Sequence, residues 1–403
     1  MSKPRMFEKP SGVRDYLPEA VRKLREIERK VLHTMECWGY AQIITPTMEF
    51  YDTVGTASAT SDQKLFKLLN QRGTPMVLRS DMTGPIARVV SSLLGKEPFP
   101  IRLSYHANVF RAMEDEAGRE AEFFQTGAEL AGDGSPEADA EVIALAIACL
   151  KASGIERFKV ALGHHGYVQS LFEDALPGDE ENQLRLKRLL IQRDVVGYRT
   201  QASLLGLDAR RSGQLEALLQ LRGGRAVLGQ ARTLSGKPEM AASLAHLEQV
   251  WEVLEAYGAA DHLLLDLTML GDFSYYTGTI FEGYAAEMGF PVMSGGRYDH
   301  LLQQFGRPAP ATGFALKTTR IMDALSRPGE YEEEQAKPVL IQYEAARRAD
   351  ALAEAARLRA EGAIAVTRLL GEGAAAGTSR DGAEAEGLPD GGRYRKVLTF
   401  RQS

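Results

Sequence analysis

Two neighbouring segments constrain this chain most: Ser274-Tyr275-Tyr276-Thr277-Gly278-Thr279-Ile280-Phe281-Glu282 and Ser294-Gly295-Gly296-Arg297-Tyr298-Asp299. The first predicts a strand, since alternation puts Tyr275, Thr277, Thr279 and Phe281 on one face and Tyr276, Gly278, Ile280 and Glu282 on the other. Gly278 inside such a strand marks close approach by a ligand or another backbone. Hydroxyls and rings followed by a double glycine and Arg297 suit one wall of a pocket for a zwitterionic metabolite, with planar surfaces for a side chain and donors for a carboxylate. A plain amphipathic strand fits the same residues, and Gly295-Gly296 also fits a tight turn.

The 403 residues suffice for one large core plus a smaller unit. A net charge of −6 argues against nucleic acid as the main partner, because phosphate binding leaves a basic footprint. Cys37 and Cys149 show no close Cys-Cys or Cys-His spacing, so neither a disulfide framework nor a zinc signature is present, and a reducing cytoplasm fits. Charges occupy the first ten residues where an export signal is apolar. The longest apolar run, Val142 to Leu150, is about half of the roughly 20 residues that span a bilayer. No export and no membrane anchor are expected.

Helical periodicity over residues 19 to 38, with Val21, Leu24, Ile27, Val31 and Leu32 in register, predicts an amphipathic helix. Strands are expected at 43–46, 76–79, 102–111, 118–132 and 158–162, and a helix at 137–153. Residues 56–62 read as a flexible loop over the pocket. From about 166 to 260 the composition turns to leucine, arginine, glutamate and glutamine, which predicts a helical insertion. No stacked aromatics accompany its arginines, so a solvated cap suits it better than a nucleic-acid surface. A first domain is thus expected over 1–325, and a β-α-β unit over 337–403 with a disordered segment at 371–392, rich in Gly, Ala, Glu and Asp.

In collinear order from Gly12 to about Arg320, these motifs resemble histidyl-tRNA synthetases and their non-catalytic paralogues. Gly12-Val13-Arg14-Asp15-Tyr16-Leu17-Pro18 and Trp38-Gly39-Tyr40 resemble the opening of that domain, and Ile43 to Pro46 its dimer-forming edge. Leu78-Arg79-Ser80-Asp81-Met82-Thr83 is similar to the loop that grips the amino group of histidine. Val109-Phe110-Arg111, Gly118-Arg119, Phe123, Gln125, Gly127 and Glu129 resemble the second class II motif and the strand after it. The fold implied is α+β: an antiparallel sheet of six or seven strands flanked by helices, with the helical insertion and the small C-terminal β-α-β unit.

The resemblance implies a histidine pocket of Asp81, Thr83, Arg111, Gln125, Glu129, Tyr275 and Tyr276, where Asp81 is one methylene shorter than the usual glutamate. It also implies that the reaction machinery is incomplete. The arginine that serves the α-phosphate aligns with Gly271, and no Arg or Lys lies between Leu263 and Phe290. Met113 replaces an acidic residue, Met113-Glu114-Asp115-Glu116-Ala117 is acidic where polyphosphate or tRNA needs positive potential, and Lys317 and Thr319 replace a glycine and a glutamate of the third motif. Lys317 and Arg320 suit an anion or a solvated face.

Plainer roles fit the same residues. Asp81 suits a helix N-cap, Arg111 and Glu129 suit an ion pair across strands, the tyrosines suit a core, and His164-His165 suits a loop start rather than a metal pair.

A kept pocket with lost cations is the pattern of the regulatory subunit of ATP phosphoribosyltransferase, the first enzyme of histidine biosynthesis. The resemblance then implies no catalytic residue, cofactor or metal, and a short-form catalytic subunit as partner. It further implies a homodimer core within a hetero-oligomer, L-histidine as feedback effector, and no tRNA. A divergent histidyl-tRNA synthetase or another ATP-dependent histidine-activating enzyme is the alternative, with Lys317 supplying the missing cation; a stand-alone amino-acid-binding protein is a third.

Overall fold

The computed structural model describes residues 8–58, 60–112, 120–234, 236–271, 275–286, 288–325, 337–370 and 394–402. The acidic loop 113–117 and the segment 371–392, both singled out in the sequence, lie outside the described residues. Two compact units result, Met1–Arg327 and Pro328–Ser403.

The strands of the first unit are β1 (Ala41–Gln42), β2 (Met48–Phe50), β3 (Lys67–Leu69), β4 (Pro75–Leu78), β5 (Ile101–Phe110), β6 (Glu122–Ala131), β7 (Phe158–His164), β8 (Arg222–Gly223), β9 (Leu263–Asp266), β10 (Thr279–Ala285), β11 (Met293–Arg297) and β12 (Ala311–Lys317). Nine of them form one sheet in the order β1-β5-β6-β12-β11-β10-β7-β9-β8. The six from β5 to β7 are antiparallel throughout, while β1 and β9 join as parallel neighbours. Nine strands exceed the six or seven expected because the two-residue strands β1 and β8 are too short to leave a periodic signal. β2, β4 and β3 form a separate small sheet.

Helix α1 (Pro18–Cys37) begins with proline at its first turn and buries Leu24, Ile27, Val31 and Met35, the stripe that its 3.6-residue period dictates. The strand expected over 43–46 is absent. Ile43 gives one N–H to Ser104 O (2.9 Å), and the carbonyls of Thr45 and Pro46 instead accept from the buried Arg79 guanidinium, at 2.8 and 3.3 Å. Helix α2 (Thr83–Ser91) lies against β5 on one face of the large sheet. Helix α3 (Pro136–Ser153) is capped by Ser135, whose hydroxyl accepts from Ala138 N–H at 3.2 Å, and ends at Gly154 with φ 100°.

The insertion consists of α4 (His165–Ala175), α5 (Glu180–Ile191), α6 (Val195–Leu204), α7 (Ala209–Leu218), α8 (Val227–Arg232) and α9 (Pro238–Ala256). Asp179, Asp194 and Asp208 cap α5, α6 and α7 by accepting from the N–H three residues on, at 3.2, 2.8 and 2.9 Å. α9 packs on α3 and α4. Helix α10 (Thr318–Leu325) closes the first unit. In the second unit β13 (Val339–Tyr343) is central, parallel to both β14 (Ala365–Leu369) and β15 (Lys396–Phe400), with α11 (Arg348–Ala360) packed on Val339 and Ile341 through Ala351 and Ala355.

One buried ion pair fastens these layers together. Arg297, at the end of β11, meets both oxygens of Asp139 at the start of α3 (2.8 and 3.2 Å), and His246 of α9 donates to the same carboxylate at 2.8 Å. Burial pushes the Asp139 carboxyl up, but His246 and Arg297 outweigh it and hold it below the usual range. Asp139→Ala leaves the buried Arg297 with only the more exposed Asp299 as its carboxylate, so the denaturation free energy should fall by about 3–5 kcal/mol. A urea titration checks this, and a loss under about 1 kcal/mol would show that the pair is replaceable.

Candidate functional site

Strand pairing assembles a recess on the α2 side of the sheet. Gln125, Gly127 and Glu129 face one way on β6, and the register places Lys317, Ala315 and Gly313 of β12 directly beside them. Ser294 and Gly296 of β11 pair with Ala315 and Gly313 and continue the same face. The room exists because glycines floor it. A Cβ on Gly313 would stand 1.6 Å from Glu129 Oε2, and one on Gly127 would stand 2.5 Å from the Tyr105 hydroxyl. The result is an open-mouthed recess of about 500 Å³.

All seven residues expected in the pocket line this recess: Asp81, Thr83, Arg111, Gln125, Glu129, Tyr275 and Tyr276. Lys317 lines it too, whereas Arg320 does not; its guanidinium donates to Pro291 O (3.0 Å) and sits over the Phe290 ring at 5.4 Å. Strand alternation fails for the tyrosines. β10 begins only at Thr279, and Tyr275 and Tyr276 precede it in a turn that sends both rings to the same recess, edge to face at 5.1 Å and 78°.

Other expectations are revised as well. Gly295-Gly296 lies within β11 rather than in a turn. Gly278 is approached by the Arg297 side chain, 2.8 Å from where a Cβ would stand. Arg297 serves Asp139, Asp299 and the carbonyls of Asp133 and Ser135, so it is a girder behind the wall and not a donor inside it. His164 ends β7 and His165 starts α4, and burial first, then His246, lowers the His164 ring to about 3.

Asp81 does act as a cap, its Oδ1 accepting from Gly84 N–H at 3.1 Å, while Oδ2 accepts from the hydroxyls of Ser58 (3.0 Å) and Ser80 (3.3 Å). A carboxylate offers about four acceptor positions, so capping leaves capacity for an ammonium. Arg111 Nε donates to Ser80 O at 2.9 Å and the guanidinium lies over Phe123 at 5.4 Å.

Glu129 is buried, 3% exposed, and it receives the Thr83 hydroxyl at 2.8 Å and the Tyr298 hydroxyl at 2.5 Å. Tyr298 and Tyr105 were in plain view in the sequence but unassigned. Only the strand pairing reveals them, Tyr105 lying opposite Gly127 and Tyr298 donating its N–H to Ala311 O at 2.7 Å. The recess thus offers two carboxylates, two cations at Arg111 and Lys317, and paired rings, which together match a zwitterion carrying a planar side chain.

Burial raises the Glu129 carboxyl to about 7 against the opposing pull of the Tyr298 and Thr83 hydroxyls, with Asp81 adding to the rise. Its ordinary value is 4.5, so the folded chain holds an extra proton between about 4.5 and about 7. The stabilisation is complete below that window and is lost as pH rises through it, by at most about 3 kcal/mol. Glu129→Gln removes the titration. Denaturation midpoints of the unsubstituted chain should therefore fall more steeply across this window than those of the variant; parallel curves would show an ionised Glu129 throughout.

Comparison with known proteins gives a consistent picture. The family described as histidyl-tRNA synthetase matches residues 12–321. An ATP phosphoribosyltransferase regulatory subunit from Halalkalibacterium halodurans is 47% identical over 366 residues, 91% of each chain. One from Bacillus subtilis is 48% identical over 320 residues, 79% of this chain and 82% of that one. The crystal structure of an ATP phosphoribosyltransferase regulatory subunit/histidyl-tRNA synthetase from Bacillus halodurans superposes with TM-score 0.89 at 42% identity, covering 100% of both chains. A Nostoc histidyl-tRNA synthetase shares the fold, with TM-score 0.76 at 21% identity over 91% of this chain and 86% of its own.

Proposed function

The chain belongs to the ATP phosphoribosyltransferase regulatory subunits, a family built on the histidyl-tRNA synthetase fold, and we propose that its recess is the sensor through which histidine restrains the enzyme. As such a subunit it is non-catalytic and serves the first step of histidine biosynthesis beside a catalytic partner chain. The observation that carries the sensor reading is the charge layout of the recess. Asp81 and Glu129 suit an ammonium and a ring N–H, Arg111 and Lys317 suit a carboxylate, and Tyr275 and Tyr276 suit a planar ring.

The same layout disfavours nucleotide activation and tRNA. Adenylation needs fixed cations at the phosphates, and Gly271 supplies none. Several of the insertion's arginines pair with its own acids: Arg199 with Glu216 (2.6 Å), Arg210 with Asp174 (3.2 Å), Arg225 with Glu252 (2.6 Å) and Glu255 (3.0 Å), and Arg232 with Glu248. Calorimetry with L-histidine should give saturable binding that Glu129→Ala with Tyr275→Ala abolishes, and ATP–pyrophosphate exchange with histidine should be absent. No binding would move the effector site to the partner or the interface, and robust exchange would return the chain to the synthetases.

Self-association through the region around Pro46 accompanies this reading. Ile44, Met48 and Phe50 are 86%, 53% and 53% exposed there, an apolar surface that a second copy would cover. Phe50→Asp should halve the mass seen by sedimentation equilibrium, and an unchanged mass would place the dimer elsewhere.

A further inference from the structure

Beside the main recess lies a second, of about 300 Å³, on the same side of the sheet. Met269, Leu270, Ile280 and Phe281 make it mainly apolar, and Glu282 is its carboxylate. Tyr276, Ser294 and Gly295 line both recesses. The Tyr276 ring is buried, packed with Ala161, Met269 and Ile280 and braced edge to face by Tyr275.

Two glycines make room for that ring. A Cβ on Gly271 would stand 2.3 Å from Cδ2 and 2.6 Å from Cε2 of Tyr276, and a Cβ on Gly296 would stand 2.9 Å from Cε1, on the opposite edge. Neither glycine has a left-handed φ. Space, not backbone conformation, is what excludes a side chain at these positions. The glycine that removes a phosphate-binding cation therefore also gives one edge of the ring its seat.

We propose that Tyr276 is a partition held in a slot between Gly271 and Gly296, that it sets the size limit of the ligand in the main recess, and that Gly271 is a positioning residue for it. The proposal rests on the reading of the main recess as an amino-acid pocket. In this backbone a Cβ at 271 strikes the ring, so a side chain added there subtracts from ligand binding. Removing the ring joins the two recesses, and the apolar walls of the second then admit an α-amino acid whose ring bears a bulky apolar substituent.

The test is a double-variant cycle on the full chain with Gly271→Ala, Tyr276→Ala and both together, read by thermal melting and by calorimetry with L-histidine and with Nτ-benzyl-L-histidine. Gly271→Ala should lower the melting midpoint and weaken histidine binding by about tenfold, the scale of an overpacked core position. In the Tyr276→Ala background the same change should alter neither, because the ring it would strike is gone. Tyr276→Ala should shift preference toward the benzylated ligand by about tenfold, the scale of roughly two buried methylenes.

Equal effects of Gly271→Ala in both backgrounds overturn the slot, and an unchanged ligand preference overturns the partition. If Gly271→Ala alone does not fold, recovery of folded protein in the double variant supports the slot, and failure there overturns it. A parent chain that binds neither ligand overturns the amino-acid reading and the size limit with it, while the melting cycle still decides the slot.

Discussion

The contact on which the rest depends is the meeting of Arg297 with Asp139, a guanidinium and a carboxylate that are 5% and 1% exposed. A dry ion pair contributes little net stability, since desolvation offsets much of the Coulomb gain; its attested use is to specify one arrangement over another. Here it specifies register. Arg297 stands between Gly296 and Tyr298, both of which reach the recess, and a one-residue slip of β11 would turn each away from it. The guanidinium also satisfies the carbonyls of Asp133 and Ser135 at 3.1 and 3.2 Å, which fixes the turn that caps α3. His246 joins the same carboxylate, so α9 of the insertion is held by the residue that aligns the wall of the recess.

With the wall aligned, the electrostatics of the recess follow from what surrounds Glu129. A fully buried carboxyl whose hydrogen bonds come from two hydroxyls is poised to change its protonation when a cation arrives. Asp81 beside it adds to the rise, Arg111 and Lys317 line the same recess, and Glu282 in the neighbouring recess is paired with Arg193 at 3.1 Å. Carboxyl groups and cations side by side suit a zwitterion better than a polyanion.

Much of this was legible in the sequence wherever the pattern is local. The period of α1, the apolar run of α3 and the strand pattern of β5 each announce themselves within about a dozen residues. The seven residues expected in the recess were reached through a collinear resemblance rather than through local pattern. What stayed hidden depends on partners distant in the chain. Arg297 reads as a ligand donor until Asp139, 158 residues earlier, is seen to take it. Residues 275–278 alternate like a strand, yet Thr277 N–H goes to Arg297 O at 2.9 Å and Gly278 O accepts from His165 N–H at 2.9 Å, which bends the chain before pairing begins. Gly313 carries no signal of its own; only the register that sets it opposite Glu129 shows why a side chain cannot stand there.

A subunit without chemistry of its own acts only through differences in binding. If histidine weakens the catalytic chain's affinity for its substrates, those substrates weaken histidine by the same factor, and a ligand with equal affinity for both states shifts nothing. Beside the second recess, Arg193 ties the insertion to the sheet. It sits between α5 and α6 at φ 58°, a left-handed conformation rare for a side chain of its size. Its guanidinium reaches Glu282 at 3.1 Å and also the Tyr284 hydroxyl, both on β10. Glu282 lines the recess on the far side of the Tyr276 ring, so a ligand that moves the ring alters the surroundings of the group that holds the insertion.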